Sequence, residues 1–198
     1  MPRPDVSEER KEQILDAAAI VFSQHGFANA RMDDIVEKSG LSKGALYWYF
    51  KSKDEIILAL MHRFFGQDID GMEELLQSDR PVREKLLLYV EQLLGVYHEM
   101  QPLLPLMYDY YSSATRDSDK RAFFQNYFHQ YQAMIQEMIQ QGVDSGEFKP
   151  IDVTAFTVTI TAMIEGLLLL NTIEIEMPDI LTQAKASFTF LLDSIRAD

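Results

Sequence analysis

An all-α fold of about nine helices is the class this sequence predicts. Apolar residues recur at intervals of three and four, most clearly in Phe124, Tyr127, Phe128, Tyr131, Met134, Ile135 and Met138. No stretch alternates apolar and polar residues between hairpin turns, and no internal repeat or low-complexity tract interrupts the pattern. Glycines, prolines and capping residues fall between the periodic segments, where helices have to stop.

From the amino end, Ser7 caps a helix over Glu8–Gln24, whose acidic first turn suits the positive end of the helix dipole and whose Ile14, Ala18, Val21 and Phe22 share a face. Gly26 ends it. Two short helices follow, from about Met32 to Ser39 and from about Lys43 to Phe50, parted by Gly40, Leu41 and Ser42. Ser52 and Glu55 have capping-box spacing and open a long helix reaching about Gln77. Pro81 opens the next, to about Met100, and a brief one lies near Leu103–Ser112. The periodic segment of Phe124 to Met138 closes at Gly142 and Gly146; Asp152 caps a threonine-striped helix, and Pro178 begins the last, through Leu181, Ala184, Phe188, Leu191, Leu192 and Ile195.

Composition removes several function classes. With 198 residues, 47% of them hydrophobic, the chain can build a core without staples, and with no cysteine it has neither disulfides nor a thiol nucleophile. Four scattered histidines give no metal site, and there is no Glu-x-x-His pair, HExxH, P-loop or GxGxxG, so no enzyme, metal or cofactor is expected. Arg3, Asp5, Glu8, Glu9 and Arg10 leave no apolar run for a signal peptide, which places the protein in the cytoplasm. Residues 153–170 are about long enough to span a bilayer. Thr154, Thr157, Thr161 and Glu165 draw a polar stripe down one side, however, opposite Val153, Phe156, Ile160, Met163, Ile164 and Leu167, so a buried amphipathic helix and no membrane partner are expected.

The net charge of −13 is unevenly spread. Residues 1–53 hold eight basic and eight acidic side chains, whereas residues 54–198 hold ten and twenty-three. An acidic body repels phosphate, so any nucleic-acid surface is confined to the amino-terminal segment. The rival reading of the split is compositional drift.

Met32 to Phe50 has the anatomy of a helix-turn-helix. Ile35 and Val36 face inward, Gly40 supplies the tight turn, Leu41 plugs it, and Leu46 and Phe50 anchor the second helix. Lys43, Gly44, Tyr47 and Trp48 are left on an outer face, a basic and aromatic edge that suits the DNA backbone and major groove. For Tyr47 and Tyr49 the competing reading is core packing; for Lys43 and Lys53 it is a solvated lysine.

The run from Gly26 to Leu60, in which Tyr47-Trp48-Tyr49-Phe50-Lys51-Ser52-Lys53-Asp54-Glu55 precedes an apolar helix, closely resembles the amino-terminal domain of TetR-family repressors. The resemblance implies DNA-binding over residues 1–53, with the first turn of the connecting helix at 53–60, and ligand binding with dimerisation over 54–198. It places Lys43, Gly44, Tyr47 and Trp48 at bases or phosphates, Tyr49 and Lys53 on phosphates, and Arg31, Met32, Ser42 and Ala45 at the same surface. Ala30, Arg31 and Ala45 stand where the family often has hydroxyl residues; Arg31 substitutes a charged contact, and Asn29 is the candidate cap of the first short helix. The family pairs through its last two helices, which makes Phe156, Ile160, Met163, Leu167, Phe188 and Leu192 candidates for a homodimer interface, with intrachain core as the alternative. Two reading heads about 34–36 Å apart then favour a palindromic double-stranded operator.

The chain is also rich in large, adaptable side chains: Tyr89, Leu93, Tyr97, Met100, Leu104, Met107, Tyr108, Tyr111, Phe124, Tyr127, Phe128 and Met134. Such a stripe is commonly core, but nine tyrosines and ten methionines exceed what a rigid core needs. A mostly apolar pocket for a hydrophobic or amphipathic small molecule is expected, either an acyl chain or an aromatic or cationic drug. Glu165 and Asp109 suit a cation, His98 or Asn126 a neutral polar group. The resulting expectation is a repressor released from its operator by that ligand. The alternative is a helical small-molecule-binding or adaptor protein without DNA activity.

Overall fold

The structure, a computed structural model, describes residues 6–176 and 179–197. The expected start of the last helix at Pro178 lies outside the described residues, as do Arg3 and Asp5. Within them the chain forms nine α-helices: α1 (Val6–Asn29), α2 (Met32–Ser39), α3 (Lys43–Tyr49), α4 (Lys53–Gln77), α5 (Val82–Met100), α6 (Leu104–Ser113), α7 (Ser118–Asp144), α8 (Val153–Thr172) and α9 (Ile180–Ile195). A single 3-10 turn covers Gln101–Leu103. Among the described residues there is no strand, only an isolated bridge between Phe148 and Arg196.

Two compact units result. The first runs up to Phe65 and takes in Pro102–Ser113; the second comprises Gly66–Gln101 and the chain from Ala114. The division therefore falls inside α4, not at residue 53, and α6 joins the first unit, where it packs against α1. The cause is the apolar start of α4. Ile56, Ile57, Leu60 and Met61 are fully buried, and Arg63 reaches back to Glu12 (2.9 Å) and Asp16 (2.7 Å) on α1.

In the first unit Ile14, Ala18, Val21 and Phe22 form the buried face of α1, as their spacing requires. Gly26, at φ 68° and ψ 158°, breaks that helix before its last residues. In the second unit α5, α7, α8 and α9 pack side by side. The Glu147 carboxylate accepts the Val82 and Arg83 amides at 2.7 and 2.8 Å, filling the cap that Pro81 lacks a side-chain acceptor to supply. Gly142 is where the backbone meets the buried Phe148 ring, so close that a Cβ would fall inside it.

The faces of α8 differ from expectation. Thr157 and Thr161 are buried together with Ile160, Ile164 and Leu168, while Val158, Leu169 and Leu170 face outward. Threonine is a poor marker of the wet side, because its hydroxyl can bond the preceding turn: Thr157 Oγ1 donates to the Val153 carbonyl at 2.8 Å. By length and composition α8 could cross a membrane, and here it packs beside α7 and α9.

Candidate functional site

The first site is built by α2, its turn and α3. Ile35 and Leu46 have no exposed surface and Phe50 has 5%, so these three anchor the pair, whereas Val36 and Leu41, also expected inside, are half-buried. Gly40 adopts φ 68° and ψ 9°, a left-handed cap whose amide donates to the Val36 and Glu37 carbonyls. Gln13 on α1 fixes the end of α2 by donating to the Ser39 carbonyl at 2.7 Å. Ser42 then starts α3, its Oγ accepting the Ala45 amide at 3.1 Å. The cap of α2 is not Asn29, whose amide donates to the His25 carbonyl; Asp34 accepts the Arg31 amide at 2.8 Å instead.

With Leu46 and Phe50 turned inward, α3 shows its other side. Trp48 is 69% exposed, Ser42, Lys43 and Gly44 are exposed, and Ala45, Tyr47 and Tyr49 are half-buried. Trp48 and Tyr49 meet edge to face at 4.6 Å. Arg31 is exposed and Met32 half-buried at the start of α2. The Lys43 ammonium pairs with Asp33 at 2.6 Å and lies 5.9 Å from the centre of the Tyr47 ring; the Asp33 hydrogen bond and charge raise its pKa. Lys51, which sequence reasoning passed over, bonds the Tyr47 and Trp48 carbonyls and so closes α3.

Lys53 is placed otherwise than the resemblance implies. Its ammonium donates to the Phe27 and Ala30 carbonyls, both at 2.6 Å, and stands 4.5 Å from the centre of the Phe27 ring. It clasps the α1–α2 connection to α4, because the kink at Gly26 leaves carbonyls there that no helix bond satisfies.

The second site is a polar centre within the second unit, contributed by α4, α5, α7 and α8. Asp68 is 6% exposed. The Tyr127 hydroxyl donates to its Oδ2 at 2.6 Å and the Tyr89 hydroxyl to the same oxygen at 3.4 Å. Tyr131 stacks on Tyr127 with ring centres 5.9 Å apart and tilts against Tyr89 at 5.8 Å. Its hydroxyl has no hydrogen-bond partner of good geometry, and burial raises its pKa well above the usual tyrosine value even though the nearby Tyr89 hydroxyl works the other way. The buried Thr161 hydroxyl also lacks a partner. Burial raises the Asp68 carboxyl to about 6 against the pull of the two tyrosine hydroxyls. Glu165, one turn beyond Thr161, is an exposed residue whose carboxyl is raised to about 7, first by desolvation against the protein and then by the Asp68 charge. The Asp68 charge is one of the two causes that hold the proton on Glu165.

The expected ligand residues are thus dispersed. Tyr89, Phe124 and Tyr127 are buried and Phe128 half-buried near this centre. Tyr97 is buried but committed: its hydroxyl donates to the Leu168 carbonyl and accepts the Asn171 amide, both at 3.1 Å. Met100 is buried, and Leu93 and Met134 are half-buried, in the same unit. Leu104, Met107, Tyr108 and Tyr111 belong to α6 and hence to the first unit, while Asp109, His98 and Asn126 are exposed. Asp68 is absent from the residues expected at the ligand, and Tyr131 and Thr161 are expected only as members of helix faces. The available signal was a lone acid in an apolar row at helical spacing, Phe64, Asp68, Met72 and Leu75.

The interface candidates divide likewise. Ile160, Phe188 and Leu192 have no exposed surface in the single chain, so they are core of the subunit and not an outer face. Phe156, Met163 and Leu167 are half-buried. The apolar side chains turned outward on these two helices are Val158, Leu169, Leu170, Leu181 and, at 74% exposure, Phe190.

A bihelical head with a basic and aromatic edge, joined to a helical unit with a buried polar centre, defines a DNA-binding transcriptional regulator with a ligand-binding carboxyl-terminal domain. The chain belongs to the TetR family: residues 14–60 match the bacterial regulatory proteins of the tetR family, and residues 85–180 match the tetracyclin repressor-like C-terminal domain. It is 30% identical over 159 residues to the HTH-type transcriptional regulator YfiR of Bacillus subtilis, covering 77% of this chain and 76% of that one. A transcriptional regulator from Saccharomonospora viridis, solved in complex with choline, shares the fold at TM-score 0.82 and 19% identity, covering 96% of this chain and 99% of that one. FadR of Bacillus subtilis, solved in complex with stearoyl-CoA, does so at TM-score 0.73 and 24% identity, covering 93% and 99%.

Proposed function

We propose that this regulator is a cytoplasmic homodimeric repressor that leaves a palindromic operator when an amphipathic small molecule binds its carboxyl-terminal unit. The observation that carries the reading is α3, where Leu46 and Phe50 are spent on the core while Lys43, Gly44, Tyr47 and Trp48 are turned away from it. Such an edge enters a major groove, with Lys43 exchanging Asp33 for a phosphate and the aromatic side chains meeting base edges and sugars. One head makes few contacts, so a second copy is needed for affinity. Val158, Leu169 and Leu170 on α8 and Phe190 on α9 offer an apolar surface for that copy. Two fold neighbours were solved with small molecules, which supports a sensing role for the second unit. Ligand shifts the protein only if it favours one arrangement of the heads, and α4 is the element that both units share.

A gel shift with a duplex selected from a randomised pool tests the DNA reading. Replacing Lys43 and Tyr47 by alanine is expected to weaken binding on the order of tenfold to a hundredfold with the helical content unchanged, and binding should fall as salt rises. A double variant that binds as tightly as the parent, or a parent that selects no duplex at low salt, overturns it.

A further inference from the structure

The polar centre around Asp68 holds more negative charge and more hydroxyl groups than it uses. Two tyrosine hydroxyls converge on Asp68 Oδ2, and among the described residues no hydrogen bond reaches Oδ1. Among the described residues neither Asp68 nor Glu165 takes part in an ion pair. Tyr131, 1% exposed, brings a hydroxyl that makes no hydrogen bond of good geometry, and Thr161, 5% exposed and one turn before Glu165 on α8, carries another. A purely structural network satisfies its own members, because each buried orphan costs free energy; spare capacity gathered from four helices is instead the mark of a third party.

The chemistry of that party follows from what surrounds it. Two carboxylates repel an anion, and a neutral ligand leaves their charge unanswered. A hard metal ion needs more oxygens than two carboxylates offer, and among the described residues no group of three or more His, Cys, Asp or Glu side chains forms. The rings of Tyr89, Tyr127, Tyr131 and Phe128 lie about the acid, with Phe128 and Tyr131 edge to face at 6.4 Å. Negatively polarised faces beside a buried carboxylate suit a soft, weakly hydrated cation.

We propose that the effector of this regulator is an organic cation, an ammonium carried on an apolar body, held by the Asp68 carboxylate among the rings of Tyr89, Tyr127 and Tyr131 with Glu165 as the outer counter-charge. This deepens the proposed repressor and rests on it for the word effector; the binding site stands on the residues alone.

Calorimetric titration of the full chain at about pH 8 with decyltrimethylammonium, decanol and decanoate, all below their micelle concentrations, decides it. The ammonium is expected to bind with one saturable stoichiometry per chain and about tenfold or more tighter than decanol; decanoate is expected not to bind. Asp68→Asn should weaken the ammonium by about tenfold or more, and Glu165→Gln by a smaller factor. Equal binding of decanol, preference for decanoate, or ammonium affinity unchanged in both variants overturns the proposal. Should Asp68→Asn lose its circular dichroism spectrum, the decanol comparison and Glu165→Gln still decide. The gel shift separates the two readings: a chain that binds duplex but ignores the ammonium refutes the cation site alone. A chain that binds the ammonium through Asp68 but selects no duplex refutes the repressor alone.

Discussion

Removing the Asp68 charge should make the ligand-free protein more stable at neutral and alkaline pH. Asp68 is 6% exposed and its carboxyl is raised from 3.8 to about 6, chiefly by burial. Because the folded state holds that proton more tightly than the unfolded chain does, the protein is favoured by protonation at low pH. It loses stability as pH climbs from the unfolded value to the folded one and levels off above it, a deficit on the order of 3 kcal/mol. Asparagine has nearly the same shape, and its oxygen can still accept from Tyr127 and Tyr89, though these bonds are weaker than those to a carboxylate. The expected net gain for Asp68→Asn is therefore about 1–3 kcal/mol at about pH 8, vanishing near pH 4. Urea unfolding of both proteins at one fixed chain concentration, across that pH range, reads the difference directly. Other carboxylates cancel in the subtraction, apart from Glu165, whose proton Asp68 helps to hold. An asparagine variant that is the less stable of the two at about pH 8, or a difference that does not grow with pH, would refute the reasoning. A group that weakens the resting fold is better explained by binding than by packing.

Lys53→Met should cost about 1–3 kcal/mol in unfolding free energy, since it leaves the Phe27 and Ala30 carbonyls without their shared donor; a phosphate-binding lysine with no structural task would leave the melting curve where it was. Gly142→Ala should destabilise by about 1–3 kcal/mol in urea, because its methyl group meets the buried Phe148 ring; a neutral result would show that the ring can move aside.

The reading head was legible because its determinants are local: Gly40 at a left-handed turn, Ser42 as a cap, and Leu46 and Phe50 one helical turn apart. Lys53 looked like a surface charge because the carbonyls that claim it sit some 25 residues away in sequence, at Phe27 and Ala30. The buried stripe of α8 was misjudged for a different reason, since Thr157 hides its polarity in its own helix and the pattern weighs it as though it did not. Ile160, Phe188 and Leu192 illustrate the same limit: periodicity identifies an apolar face but not whether the neighbour it meets belongs to the same chain. Asp68 was overlooked because one acid hardly disturbs an apolar row, and its meaning comes from tyrosines on two other helices.

Trp48 stands at the centre of the exposed edge of α3 and is the sole indole in the chain. Its emission under selective excitation therefore reports on α3 and nothing else. If α3 docks on a duplex as proposed, water is stripped from that ring, and quenching or a shift in wavelength then follows operator engagement without a label. Release by an effector can be timed by the same glow in a stopped-flow mixer.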